Sequence, residues 1–215
     1  MDKIDNSFLA DVVYEKIKQM IVDGDLVPGS KISKKEIAKS LAVSLTPVNE
    51  AISRLSGEKL VKIVPKEGIY IRDLNDQDLA EIYAIRAGLE SVAARICTLE
   101  AKDSDIESLA HFFSKYNLPI PSFETKEYMM EDQSFHTTIL RIARIPMLVD
   151  LQGFYGFMIK SYEHGLMRPP NDTLSEHKAI IKAIQSRNAK AASELMMEHH
   201  LKSRNRIISM MKANQ

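Results

Sequence analysis

One cysteine, Cys97, and no tryptophan occur in 215 residues. A lone thiol cannot close an intramolecular disulfide, so packing must hold the fold, and the composition fits a reducing cytoplasm. Only 8 Gly and 8 Pro are present, which excludes collagen-like and Pro/Gly-rich disordered chains. Charge of one sign is lacking too. Lys and Arg number 29 against 29 Asp and Glu, so no net field draws the molecule to DNA or to an anionic membrane, and any nucleic-acid site must be a local patch. No apolar run approaches the roughly 18–20 residues of a membrane span. The N-terminus, with Asp2, Lys3 and Asp5, lacks the apolar region of a signal peptide. These absences point to a soluble, cytoplasmic protein. The 45% hydrophobic and 27% charged residues are a globular composition, with length enough for one large domain or two small ones. Eleven methionines suggest adaptable packing between helices.

The chain divides near residue 75, into 1–74 and 75–215. From Ala10 to Asp23, Val13, Ile17, Met20 and Ile21 recur at i, i+4, i+7 and i+8, one face of an amphipathic helix that Gly24 stops. Ser33 and Glu36 form a capping box opening a short second helix through Ile37, Ala38 and Leu41. Thr46 is placed as N-cap, with Pro47 at the first helical position, of a third helix whose Val48, Ile52 and Leu55 face inward. Val61 to Arg72 alternate around Pro65-Lys66-Glu67-Gly68 as a β-hairpin. Three helices and a hairpin in this order are the pattern of a winged helix-turn-helix. Its third helix enters the major groove, while helix N-terminal amides and the hairpin hold phosphates. Between Lys31 and Arg72 nine basic residues stand against four acidic ones, a charge that suits DNA and would equally suit a solvated surface.

The residues then carry a resemblance. Gly24-Asp25-Leu26-Val27-Pro28-Gly29, Ile37-Ala38, Val43-Ser44-Leu45-Thr46-Pro47-Val48-Asn49-Glu50-Ala51-Ile52, Arg54-Leu55 and Leu60-Val61 resemble the DNA-binding domain of the GntR family of bacterial transcription regulators. The resemblance implies double-stranded operator DNA as partner, with Lys34, Ser44, Thr46, Pro47, Asn49, Arg54 and Lys66 facing it. Leu45 and Asn49 stand where the family has Arg. A bidentate Arg contact is worth about 1–3 kcal/mol of base discrimination, so these departures bear on the operator and not on the fold. One helix-turn-helix reads one half-site, and a homodimer is therefore expected.

From Asp78 onward the period is helical almost throughout. Leu79, Ile82, Ile85 and Leu89 step along a long first helix, apolar around much of its circumference, that continues through Val92, Ala93 and Ile96. Asp103 or Ser104 caps a second, reaching Tyr116; a third spans Phe123–Ala143; a fourth follows Pro146 to Gly165. The fifth runs from Thr173 to Ser186, and the sixth from its N-cap Asn188 to Met211. The fold class is thus mainly α, a winged helix-turn-helix followed by an all-α six-helix bundle.

All six histidines fall in this second region. Asp132 and His136, at i and i+4, project from one helix face, which Phe135, Ile139 and Leu140 place near the core. On the last helix Ala192, Leu195, Met196 and His199 share one stripe, so His199 points inward and His200 lies about 100° away. Two readings stand open: hydrogen-bonded buried imidazoles, or an N₃O site of Asp132, His136, His177 and His199 for Zn²⁺, Ni²⁺, Mn²⁺ or Co²⁺.

Residues 78–212 resemble the FCD effector domain of the FadR subfamily, in its six-helix VanR-like branch. Ile85-Arg86 with Leu89-Glu90, Asp132-x-x-Phe135-His136, Glu176-His177 with Ala183-Ile184, and Ala191-Ala192 leading to His199 carry the likeness. It implies that the Asp and three His bind one divalent metal, with a small carboxylate beside it. Spacing from His177 fits His199 better than His200 as the last ligand. Arg86, in the apolar-flanked run Ile85-Arg86-Ala87-Gly88-Leu89, suits the carboxylate of an organic acid effector, or else pairs with Glu90 four residues on. The expectation is a metabolite-responsive repressor and no enzyme. The alternatives are a metal sensor without organic effector, and a metal-dependent hydrolase using Glu131 or Glu176 as general base.

Overall fold

The computed structural model describes residues 6–147 and 168–213, which contain eight α-helices and one three-stranded sheet. They form two compact units, one ending at Leu74 and one beginning at Asn75.

In the first unit, α1 (Asn6–Val22) begins before its apolar period does and ends ahead of Gly24, whose φ of +83° turns the chain. Val13, Ile17 and Ile21 are buried, as their spacing predicts. β1 (Lys31–Ile32) leads into α2 (Lys34–Ser40), where the Ser33 hydroxyl oxygen accepts the Glu36 N–H at 3.3 Å. The recognition helix α3 (Leu45–Gly57) has Ser44 and not Thr46 at its N-cap, so the expected start is corrected by two residues. Thr46 and Pro47 lie within the first turn, where backbone N–H groups have no intrahelical partner and a proline costs nothing. Val48, Ala51, Ile52 and Leu55 turn toward the core.

β2 (Val61–Val64) and β3 (Gly68–Ile71) form the expected hairpin, with Val61 opposite Ile71 and Ile63 opposite Ile69. β3 is central, and β1 pairs along its other edge through Lys31 with Tyr70 and Ile32 with Ile69. Gly68 suits this position because its φ is +143°, a conformation that residues with a Cβ rarely adopt.

The second unit consists of α4 (Asp76–Glu100), α5 (Asp103–Ala110), a 3₁₀ turn at Ser122–Glu124, α6 (Thr125–Ile142), α7 (Pro170–Gln185) and α8 (Ala189–Ala213). The helix expected after Pro146 falls almost wholly outside the described residues. α5 stops at Ala110, short of the expected Tyr116, because Phe113 takes φ +58° and the turn buries both Phe113 and Tyr116. Those rings join Tyr128, Phe135, Ile139, Leu140 and Ile180 in one apolar core. α4 and α8, 25 residues each, pack along one another. No described helix is long and apolar enough to cross a membrane.

Candidate functional site

The first unit offers a groove of about 630 Å³ between α3 and the hairpin, lined by Lys34, Asn49, Ile52, Ser53 and Lys66 among others. Ser44 and Thr46 are exposed at the start of α3, and Lys66 stands exposed in the hairpin turn at φ +66°. Lys34 donates to Asn49 Oδ1 at 2.7 Å. Two expected DNA-facing residues are placed elsewhere. Pro47 is buried on the inner face of α3. Arg54 pairs with Asp11, and its guanidinium lies 4.2 Å from the centre of the Tyr14 ring, so it ties α3 to α1. Five residues from Asn49, it points from a different face of the helix.

In the second unit α6 supplies Asp132 and His136, α7 supplies His177, and α8 supplies His199 and His200. All four imidazoles are buried. Ring centres lie 5.5 Å apart for His136 and His177, 4.6 Å for His177 and His199, and 5.3 Å for His136 and His199. One nitrogen from each of these three lies within 4.8 Å of the other two.

Each ring is held from behind at Nδ1. His136 Nδ1 is 2.6 Å from Glu90 Oε2, His199 Nδ1 is 2.9 Å from Glu176 Oε2, and His177 Nδ1 is 2.8 Å from the Tyr128 hydroxyl. A carboxylate only accepts, so His136 and His199 carry a proton on Nδ1, the nitrogen that faces it. Nε2 of His136 and Nε2 of His177 are both buried without a hydrogen-bond partner, an expensive condition for two polar atoms unless a ligand satisfies them. Asp132 adds the oxygen: Oδ2 lies 3.3 Å from His177 Nε2 and Oδ1 3.8 Å from His136 Nε2. Three imidazole nitrogens within 4.8 Å of one another make a donor set that could hold one divalent cation, with the Asp132 carboxylate beside two of them but outside that mutual distance, and the groups at Nδ1 fix ring plane.

The electrostatics suit ligation. Burial, with the neighbouring imidazoles adding to it, holds the His177 pKa well below its ordinary value. Burial also lowers His199, against the pull of Glu176. Both are therefore neutral at pH 7, as a metal requires. Glu90 is buried, which works against its charge, yet Arg86, His200 and His136 hold its carboxyl well below the usual range. Glu176 is likewise ionised against its burial, through hydrogen bonds from His199, Arg168 and Lys202.

His200, about 100° round the helix from His199, is buried as well, because α4 packs on that side. Its Nε2 is 3.0 Å from Glu90 Oε2, the oxygen that also holds His136. Arg86 Nε donates to the other Glu90 oxygen at 2.8 Å, so the internal pair that the sequence left open is formed. Glu90 Oε2 thus lies within hydrogen-bond distance of both His136 and His200, and these three residues form a second group of donor atoms within 4.8 Å of one another, sharing His136 with the first.

Sequence reasoning missed Tyr128, the supporting role of Glu90, and Arg168. The Arg168 guanidinium forks onto Glu176 at 2.9 and 2.5 Å and donates to the His199 carbonyl at 3.1 Å. No local signal marks Glu90, whose histidine partners lie 46 and 110 residues away in sequence, and Arg168 lies in no periodic segment. Neither acid suggested as general base is disposed for that role. Glu131 accepts the Phe113 N–H at 2.5 Å, and Glu176 is committed to Arg168, Lys202 and His199.

Comparison with known proteins agrees with both units. Residues 9–71 match the family described as bacterial regulatory proteins, gntR family, and residues 81–202 match the FCD domain. The Escherichia coli HTH-type transcriptional repressor GlaR is 26% identical over 203 residues, covering 87% of this chain and 90% of GlaR. An uncharacterized HTH-type regulator of Bacillus subtilis, YdhC, is 27% identical over 194 residues, covering 86% of this chain and 85% of its own. The solved structure of Escherichia coli McbR/YncC shares the fold, with a TM-score of 0.68 at 19% identity over 94% of this chain and 98% of that one. The matched families and relatives are transcription regulators and not enzymes, which overturns the hydrolase alternative. A winged helix matched across its length, followed by a helical unit matched across the helices that carry the histidines, means that the chain belongs to the GntR family of bacterial transcription regulators, as a DNA-binding regulator with an FCD domain.

Proposed function

We propose that this regulator is a homodimeric, metabolite-responsive repressor of the cytoplasm. Its helical unit holds one divalent metal through Asp132, His136, His177 and His199, and a small carboxylate binds beside that metal. The supporting observation is the cluster of three buried imidazoles, one nitrogen of each within 4.8 Å of the other two, with Asp132 beside two of them and each ring fixed at Nδ1. Zn²⁺, Ni²⁺, Mn²⁺ and Co²⁺ all accept such a set, and those that take six ligands leave positions for water or a carboxylate. Arg86 supplies nearby positive charge for an anionic effector. A repressor is favoured because GlaR is named as one, and because a shifted arrangement breaks a two-site fit on DNA more easily than it creates one.

A dimer is supported by the outer face of α4. Ile85, Val92 and Leu99 recur every seventh residue, 53%, 50% and 63% exposed, and Gly88 between them has nothing within 4 Å of its Cβ position. A second copy would cover this stripe and present two DNA-binding units to two half-sites.

The test combines metal analysis with operator binding. Wild type should hold one metal per chain, and His136→Ala should lose it and unfold at lower temperature, since the site draws three helices together. Candidate organic acids should release the metal-loaded wild type from its operator. Full metal content in His136→Ala would show the ligand set to be wrong. The Arg86–Glu90 pair favours a second reading, in which Arg86 is structural and the protein senses metal alone. DNA release would then follow metal concentration, and no acid would alter it.

A further inference from the structure

The DNA-facing side of the first unit carries one contact that a helix-turn-helix does not require. Lys34, at the start of α2, reaches the recognition helix and donates from Nζ to Asn49 Oδ1 at 2.7 Å. An ammonium has donors and no acceptor, so the Asn49 atom facing it must be the oxygen. The amide is fixed in one of its two orientations, with Nδ2 directed away from Lys34. Asn49 is exposed, Lys34 is half-buried, and both line the groove between α3 and the hairpin.

An asparagine whose amide is unengaged reads adenine, because Oδ1 accepts from N6 while Nδ2 donates to N7. Here Oδ1 already serves a cation, and the N6 donor of adenine would have to approach beside an ammonium. What the pair offers outward is donors alone: Nδ2–H₂ of Asn49 and the remaining N–H groups of Lys34. Guanine is the base whose major-groove edge presents two acceptors, O6 and N7. We infer that Lys34 and Asn49 act as one base-reading unit that selects guanine over adenine in each operator half-site. Lys34 is the specificity-determining member, since it turns an adenine reader into a guanine reader.

The experiment is selection of binding sites from randomised duplex DNA with the full chain, as wild type, K34M and N49A, followed by competition between single sites. Wild-type sites should carry guanine at one position of each half-site. K34M should change that position to adenine, preferred by about 5- to 150-fold, and N49A should abolish the preference there. The rest of the selected site should be common to all three proteins. Asn49 is exposed and Lys34 half-buried, and unchanged thermal unfolding by circular dichroism confirms that each variant folds. Adenine at that position in wild-type sites would overturn the inference. So would a K34M protein that selects the wild-type base, binds all sequences more weakly and loses about one unit of salt slope, because Lys34 would then be a phosphate contact.

Discussion

In the proposed metal site the groups that hold each imidazole at Nδ1 matter nearly as much as the ligands. Glu176 holds His199 and is itself held by Arg168 and Lys202. Glu176→Gln keeps a carbonyl oxygen for His199 but removes the charge that raises its basicity, so metal affinity should fall about 10- to 100-fold in competition with a chelator. Unchanged affinity would confine Glu176 to its ion pair with Arg168. His200→Ala should retain the full metal content, because His200 gives Nε2 to Glu90 and stands outside the group of His136, His177 and His199; loss of metal in that variant would move the last ligand from His199 to His200. Cys97 reports on the same unit from a distance. It is fully buried, and burial pushes its thiol up to about 12. At pH 8 the folded protein should leave an aromatic disulfide reagent unreacted, and denaturant should release one reactive thiol per chain. Fast labelling without denaturant would show local opening of α4 around Cys97.

Among the elements, α4 bears the largest share of the second unit, since its inner face carries Glu90 and its length packs along α8. Its start is closed reciprocally: Asn75 Oδ1 accepts the Asp78 N–H at 2.9 Å, and Asp78 Oδ2 accepts the Asn75 N–H at 3.1 Å. Asn75→Ala should therefore cost about 1 kcal/mol, read as a lower urea midpoint with an unchanged slope. A midpoint equal to wild type would mean that packing alone sets where α4 begins. This cap was not read from the sequence, although α4 itself was, because 25 residues of amphipathic period outweigh any single end signal. The same reasoning accounts for the other differences. α6, α7 and α8 are long and periodic and were legible, whereas β1 has only two residues and exists through its register with β3. The end of α5 depends on Phe113 and Tyr116 leaving the helix for the core, a tertiary demand that local pattern does not carry. The Asp132–His136 spacing on one helix was legible as a possible ligand pair. The service of Glu90 to both His136 and His200 was not, since it requires α4 to meet α6 and α8 across 46 and 110 residues of sequence.

For the molecule as a whole, zero net charge means that attraction to DNA must come from a local basic patch, which the first unit supplies between Lys31 and Arg72. One such unit contacts a single half-site, so tight operator binding depends on tethering two, which raises affinity through effective concentration with no new contact to the DNA. The stripe of Ile85, Val92 and Leu99 is the surface on which that tether is expected. Val92 lies at its middle and is half exposed in the single chain, so Val92→Glu should change the stability of the folded monomer by no more than about 0.5 kcal/mol. In a two-fold dimer the same substitution appears twice, placing two carboxylates without partners in an apolar interface, at a cost of several kcal/mol. Sedimentation at micromolar concentration should then give a dimer for wild type and a monomer for Val92→Glu. The variant should bind operator more weakly, with about half the dependence on the logarithm of salt concentration, because half as many phosphates are neutralised per complex. A wild-type protein that stays monomeric on its operator would refute the dimer. A Val92→Glu protein that remains dimeric with full affinity would instead place the interface on another face of the second unit.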